Sequence, residues 1–493
     1  MKLEKLLFGI DYSLICGNTD IDISDICYDS RKAENGKIFV ALPGTNVDGH
    51  DFIPSAYEKG ARAFVVERGI DIPAGTTVIK VENCRKALAL LSKNYFGDPS
   101  SKMTMIGITG TKGKSSITAI LKTVLDMAGK SAGTIGTTGV FYADKQFATL
   151  NTTPESYETY RYLSDMQKAG CTHVIMEVSS QGLMMHRVFG ITFDYGVFTN
   201  LSPDHIGKGE HDSFEHYLKC KALLWDQTKK GIANHDDAHF DEITKNAICP
   251  ITTFAVHKTA DVTADNISLF RDGKHLNVKF DCHTKDGDFS VTTNVPGEFT
   301  VYNCLTAISV AREIGIDFDI IAKALSDISV KGRMELVGDT KDYSIIIDYA
   351  HNAVSLETIL KTIRQYEPQR IVCLFGCGGN RPKMRRYEMG EISGKYADFS
   401  ILTSDNSRFE KPEDIINDIL VGMNKTSGRY IAIADRVKAI HYAIDNAQAG
   451  DIILVAGKGH EMYQEIEGVK HPFNEAQIIC DYLDKKNKSS GGK

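Results

Sequence analysis

The chain has 493 residues, room for two to four domains of ordinary size. Hydrophobic residues make up 42% and charged residues 25%, a soluble globular composition rather than a disordered or fibrous one. A net charge of −7 provides no basic field for nucleic acid or an anionic membrane, so an anionic ligand has to be held by local groups.

The opening stretch "MKLEKLLFGIDYS" is too short and too acid-interrupted for a signal peptide, and no later stretch has the length of a membrane span. Eleven scattered cysteines form an odd total without a CxxC pair, so reduced thiols and a cytoplasmic location are expected. Cys373 and Cys377 are spaced like conceivable metal ligands, but small buried residues on a strand and its exit turn are the simpler reading.

Residues 36 to 66 alternate strand, glycine-rich loop, helix and strand. "DPSSK" at 98–102 reads as a linker. A second α/β unit follows, with a strand "MTMIGIT", a helix "SSITAILKTVLDMAG" and strands "HVIMEVSS" and "YGVFTNL". "HLNVKF" and "FSVTTNV" read as hairpin strands, and "YNCLTAISVAREIG" as a helix. Beyond "VKGRMELVG", four apolar strands alternate with helices: "YSIIIDYAH", "RIVCLFGCGGN", "FSILTSDN" and "DIILVAGKGH". That alternation predicts a parallel sheet covered on both faces, with ligand loops outside the carboxyl ends of its strands. The tail from 487 to 493, rich in lysine, serine and glycine, is expected to be disordered.

"GITGTKGKSS" lies between a strand and a helix, the context of a phosphate loop. Gly110 and Gly113 let backbone N–H groups close on phosphate oxygens, with Thr111, Lys112 and Ser116 completing the loop. Lys114 can reach the terminal phosphates and Ser115 can bind Mg²⁺. The spacing is a variant, because Ile108 stands where the strict motif has its first glycine. A plain glycine turn would leave Lys114 and the paired serines as coincidence.

With this loop, "NTTP" at 151, "MEVSSQGL" at 176, "FTNLSPDH" at 198, "FEHYLKCKALL" at 214, "GRME" at 332, "DYAH" at 348, "GCGGNR" at 376, "SDNSR" at 404 and "GKGHE" at 457 resemble the Mur ligases, in family order. The family consists of ATP-dependent amide ligases of cell-wall precursor synthesis. The resemblance covers nearly the whole chain and implies an α/β protein of three domains. These are a UDP-sugar-binding domain at 1–99, a central P-loop ATP-binding domain at 100–333 and a Rossmann-like amino-acid-binding domain at 334–486. It implies a bacterial cytoplasmic monomer that adds meso-2,6-diaminopimelate to UDP-N-acetylmuramoyl-L-alanyl-D-glutamate, consuming ATP and forming ADP and phosphate through an acyl phosphate.

The same resemblance assigns roles. Glu177 and His205 join Ser115 around Mg²⁺. Lys221 matches lysines carbamylated by CO₂ to give a further oxygen ligand, with Lys219 a close decoy. Asn303, Arg333, Asp348 and His351 resemble ATP contacts, Arg333 as the charge clamp on the phosphoryl group. Ser30, Asn151, Thr152, Thr153, Ser179 and Arg187 sit where the family contacts the UDP-sugar peptide. Arg381, Asp405, Asn406, Arg408, Gly457 and Glu461 fall on the amino-acid loops. An arginine at 408 suits the distal carboxylate of diaminopimelate, which lysine lacks. Two departures stand out: Ser407 replaces a usual proline before that arginine, and "DYAHNAVS" lacks the proline usual after His351. An L-lysine-adding ligase is the alternative within the family. A folylpolyglutamate synthase-like ligase and a non-catalytic P-loop protein are more remote ones.

Overall fold

The computed structural model describes residues 1–490 except 45–46, 70–74, 205, 208–209, 274, 329–330 and 339. Two compact units emerge, one of Met1–Thr263 with Leu305–Ile320, the other of Ala264–Cys304 with Ile321–Lys493.

The first unit opens with a sheet in the order Ser13–Cys16, Thr77–Lys80, Ala63–Val66, Lys37–Val40 and Asp25–Cys27. Only the edge strand Ser13–Cys16 is antiparallel. Strand residues alternate between faces. Ile38, Val40, Val65 and Ile79 therefore pack on Leu88 and Leu91 of the helix Cys84–Phe96, whereas Phe39 and Phe64 face Ile53 and Ala56. The segment read as a linker, 98–102, holds an ordered 3₁₀ turn, Pro99–Lys102, whose Pro99 and Ser100 are buried. Asp98 fixes it by accepting from the Ser100 hydroxyl at 2.8 Å.

The same unit contains a parallel run of strands in the order Ile251–Ala255, Thr228–Asn234, Phe193–Phe198, Thr104–Thr109, His173–Glu177 and Ala132–Gly136. Gly139–Tyr142 and Lys145–Phe147 extend it antiparallel. Thr104–Thr109 is central and buried, and its carboxyl end feeds the phosphate loop and the helix Lys114–Met127.

In the second unit, His275–Thr284 and Gly287–Thr293 pair antiparallel, as the hairpin reading expects. The four expected apolar strands form a parallel core in the order Ser344–Asp348, Asp451–Ala456, Arg370–Phe375 and Phe399–Leu402. Ile345, Ile347, Val372, Leu374, Ile453 and Val455 face the helices Arg436–Asp445 and Glu475–Ser490. Ile346, Ile371, Cys373, Phe375 and Leu454 face Ala353–Arg364, Lys383–Tyr396 and Pro412–Met423. Cys373 thus belongs to the core, and the Cys377 sulfur packs 3.6 Å from that of Met389.

Sequence reading missed two short edge strands, Glu335–Leu336 and Tyr430–Ala432, and the hairpin Tyr463–Ile466/Val469–Pro472. All are too short or too polar to carry a period-two signal. The helix Glu475–Ser490 runs through 487–490, where a disordered tail was expected; residues 491–493 lie outside the described residues. Lys488 in its last turn complements the negative end of the helix dipole. Among the described residues, no helix is long and apolar enough to cross a membrane.

Candidate active site

The phosphate loop owes its shape to its glycines and to the neighbouring strand end. Gly110 has φ +149°, and a Cβ there would sit 1.9 Å from the Thr199 hydroxyl, so only glycine fits. The Thr199 hydroxyl donates to the Lys112 carbonyl at 2.8 Å, and the Asn200 side-chain oxygen accepts the Lys112 N–H at 2.8 Å. Thr111 joins Tyr217 at 3.2 Å and accepts the Ser202 N–H at 3.0 Å. "FTNLS" therefore braces "GTKGK" from the adjacent strand. Lys114 begins the helix, and its ammonium folds back onto the carbonyls of Gly110 at 2.7 Å and Thr111 at 3.1 Å. A lysine so placed can exchange those carbonyls for phosphate oxygens.

Glu177 ends its strand 1% exposed. Its carboxylate accepts the Ser115 hydroxyl at 3.0 Å and both the N–H, at 3.1 Å, and the hydroxyl, at 3.0 Å, of Thr137. Gly136 makes room for it, since a Cβ there would meet Oε1 at 2.2 Å. Thr137, which sequence reading missed, also touches the Thr152 hydroxyl at 3.0 Å. A chain of hydroxyls and one carboxylate thus runs from the phosphate loop to "NTTP". Every donor in it is oxygen, the type that hard cations such as Mg²⁺ prefer.

Lys221 is only 2% exposed and donates to the Gly110 carbonyl at 3.0 Å. Burial first, then the charge of Lys114, pushes its amine well below the ordinary lysine range. Lys219 points to solvent and pairs with Glu215 at 2.8 Å, so Lys221 is the lysine that faces the loop. His205 lies outside the described residues.

Of the expected substrate residues, Thr153 donates to the Glu177 carbonyl at 2.9 Å and accepts the Ser179 N–H at 2.9 Å. The Ser179 hydroxyl caps the short helix Ser180–Met184. Arg187 donates to Glu155 at 2.8 Å and to the Thr153 carbonyl at 3.2 Å, and Arg85 approaches the same Glu155 at 3.4 Å. These residues form one cluster, with Asn151 exposed beside it. Ser30 starts a 3₁₀ turn two residues after Tyr28, whose hydroxyl donates to Glu158 at 2.7 Å.

In the second unit, Asp348 is buried and accepts the N–H groups of Met334 at 2.8 Å and Ala350 at 2.7 Å. Burial pushes its carboxyl up to about 6, opposed by the nearby Arg333. The Arg333 guanidinium lies 5.0 Å from the Tyr349 ring centre, and His351 bonds the Tyr349 carbonyl at 2.9 Å. Asn352 caps the next helix, Ala353–Arg364, by accepting the Ser355 N–H at 2.9 Å. Asn303 is buried on the helix Phe299–Ile314.

"SDNSR" meets "GKGHE" at neighbouring strand ends. The Asn406 amide donates to Glu461 at 2.9 Å, and Gly457 has φ +114° where a Cβ would strike the Asp405 carboxylate at 2.7 Å. Lys458, another residue missed from sequence, is fully buried between Asn406 at 3.0 Å, Glu461 at 3.2 Å and Asp405 at 3.6 Å. Arg408 adopts left-handed backbone, φ +51°, ordinarily unfavourable by about 1–2 kcal/mol for a residue with a Cβ. Backbone bonds to Glu465 at 3.0 Å and from Glu467 at 2.6 Å pin it to the missed hairpin. Its guanidinium donates to the Gly379 carbonyl at 2.7 Å and pairs with Glu465 at 3.3 Å, leaving further donors for a ligand carboxylate. Arg381 is exposed.

Comparison with known proteins matches three segments of the chain. Residues 22–96 match the Mur ligase family catalytic domain, 108–311 the Mur ligase middle domain and 332–459 the Mur ligase glutamate ligase domain. The UDP-N-acetylmuramoyl-L-alanyl-D-glutamate–2,6-diaminopimelate ligase of Clostridium perfringens is 40% identical over 493 residues, spanning 99% of this chain and 100% of that protein. The enzyme of the same name from Caldanaerobacter subterraneus is 41% identical over 489 residues, 99% and 100% of the two chains. A solved structure of a ligase of that name superposes with a TM-score of 0.73 at 29% identity, covering 99% of each chain.

Proposed function

This chain belongs to the Mur ligase family, and from that premise we propose that it is the ADP-forming ligase that adds meso-2,6-diaminopimelate to UDP-N-acetylmuramoyl-L-alanyl-D-glutamate. The division of labour follows 1–99 for the UDP-sugar, 100–333 for ATP and 334–486 for the amino acid, in a cytoplasmic monomer. The observation that carries the choice of amino acid is the cluster of Arg408, Asn406, Lys458 and Glu461. It presents a guanidinium for a carboxylate and a carboxylate for an ammonium, matching the distal end of diaminopimelate.

A carboxylate is a poor electrophile, so the reaction needs activation. The substrate carboxylate oxygen attacks the γ-phosphorus of ATP, and the bond from that phosphorus to the ADP oxygen breaks. The neutral amine of the amino acid then attacks the carbonyl carbon of the acyl phosphate, phosphate leaves, and the nitrogen loses a proton. Both steps depend on positioning and charge neutralisation more than on a protein nucleophile. Backbone N–H groups at 110–116 and the helix Lys114–Met127 hold the phosphates, with Lys114 on the terminal ones. Ser115, Glu177 and Thr137 fit Mg²⁺ by their oxygen donors, with His205 and a carbamate on Lys221 expected to complete the set. When bound, the ion neutralises charge on the transferred group. Arg333 acts as charge clamp, and the cluster of Thr153, Ser179 and Arg187 orients the UDP-sugar peptide.

The second reading, L-lysine addition, draws on the pairing of Arg408 with Glu465. An arginine already satisfied internally can tolerate a substrate without the distal carboxylate. Arg408→Ala separates the two readings. Charge-assisted bonds are worth about 1.5–3 kcal/mol, so its KM for diaminopimelate should rise about 10- to 150-fold. The KM for ATP should stay within about twofold of the parent value. An equal rise for both substrates would make the loop merely structural.

Thr137→Val removes one donor from the buried Glu177 carboxylate while keeping shape. Turnover should fall by about tenfold or more, with a higher Mg²⁺ requirement and an unchanged KM for diaminopimelate. Steady-state kinetics across a Mg²⁺ series measures all three.

A further inference from the structure

A second metal-binding chemistry lies on the helix Phe214–Ala222, the helix that carries Lys221. His216 and Cys220 are four residues apart and so share one helix face. His211, from the turn just before the helix, places its ring 5.2 Å from that of His216. One ligand atom from each of the three residues lies within 4.8 Å of the other two. We propose that His211, His216 and Cys220 form a site for a borderline-soft divalent cation of the Zn²⁺ class, separate from the oxygen-lined Mg²⁺ position at Glu177.

Donor chemistry separates the two positions. Two imidazoles and a thiolate suit Zn²⁺ or Co²⁺ and are poor ligands for Mg²⁺, which takes oxygen. Zn–N bonds of about 2.0–2.1 Å and a Zn–S bond of about 2.3 Å put tetrahedral donors about 3.5 Å apart. From separations of up to 4.8 Å, the three donors therefore close in by about 1.3 Å at most, and the partly exposed His216 can make most of that movement. Support around the ligands is already in place. The Ser180 hydroxyl bonds one nitrogen of the buried His211 ring at 2.8 Å, the outer contact that orients metal-bound imidazoles. His211 and Cys220 are buried while His216 opens to solvent, which gives an ion a route in. Three protein ligands leave the fourth position to water or to Asp212, whose carboxylate already lies 3.6 Å from His216.

Cys220 immediately precedes Lys221, which donates to the Gly110 carbonyl of the phosphate loop. An ion at this site ties the turn before the helix to the residue next to that lysine.

Co²⁺ titration of the full-length, reduced protein with millimolar Mg²⁺ present tests the proposal. One equivalent of Co²⁺ should give a thiolate-to-metal charge-transfer band in the near ultraviolet and tetrahedral d–d bands in the visible, with Zn²⁺ displacing both. Cys220→Ser should abolish the charge-transfer band, and His216→Gln should weaken Co²⁺ binding at least tenfold while leaving Mg²⁺-dependent turnover within about twofold. Because Cys220 is buried, circular dichroism checks the fold of its variant, and the half-exposed His216 variant gives an independent reading. Absence of thiolate bands in the parent protein, or their persistence in folded Cys220→Ser, would overturn the assignment.

Discussion

Glu177→Gln should lower turnover by about three orders of magnitude in a protein that still folds and still binds the UDP-sugar peptide. The side chain is almost completely buried, so its charge is not diluted by water. It accepts three hydrogen bonds, from Ser115 and from the N–H and hydroxyl of Thr137. Glutamine keeps the volume that Gly136 leaves open, but loses the negative charge and replaces one acceptor oxygen with a donor. The Ser115 and Thr137 hydroxyls can reorient, so the fold survives; the proposed cation position loses its carboxylate. Losing one preorganised electrostatic group costs about 10²–10³ in rate, and a metal ligand sits at the upper end of that range. Single-turnover phosphate release and equilibrium binding of the UDP-sugar peptide separate the effects. Turnover within tenfold of the parent would remove Glu177 from the reaction.

Lys221→Ala should be comparably damaging, and short carboxylic acids should partly rescue it. The amine is buried and depressed well below the ordinary lysine range, by desolvation first and by Lys114 second. Depression favours the neutral amine, the form that reacts with CO₂: the nitrogen–carbon bond forms, a proton is released and a carbamate remains. The exposed Lys219, paired with Glu215, serves as the control. Removing Lys221 leaves a pocket beside Gly110 into which acetate or formate can bring the missing oxygens. A loss of about 10³ with at least tenfold recovery at tens of millimolar acid is the expected pattern. Lys219→Ala should stay within about twofold. A Lys221→Ala variant that folds, turns over slowly and shows no rescue contradicts the carbamate.

Local patterns were the legible part of this chain. Gly110, Gly113, Lys114 and Ser115 occupy one strand–turn–helix, so the expectation of a phosphate loop came from a local motif in its local context. The four strands of the second unit were readable because buried parallel strands are continuous apolar runs. Residues whose meaning depends on distant partners were not legible. Thr137 meets Glu177 across 40 positions, and Lys458 meets Asn406 across 52. Thr137 does follow a strand, Ala132–Gly136, so the rule that ligands gather at strand ends would have flagged it. Lys458 sat inside a motif read for its glycine and glutamate. Arg408 stood out in the sequence, but its partner Glu465 lies on a polar hairpin without an alternating pattern. Ser407 is buried and precedes an arginine held in left-handed backbone by that hairpin.

The central claim is tested most directly by phosphate release from ATP with UDP-N-acetylmuramoyl-L-alanyl-D-glutamate, comparing meso-diaminopimelate with L-lysine as acceptor. We expect release that depends on the amino acid, with kcat/KM at least a hundredfold higher for diaminopimelate, since lysine leaves Arg408 without its carboxylate. Equal or greater kcat/KM for L-lysine would contradict the specificity, and no amino-acid-dependent release with either acceptor would contradict the ligase itself.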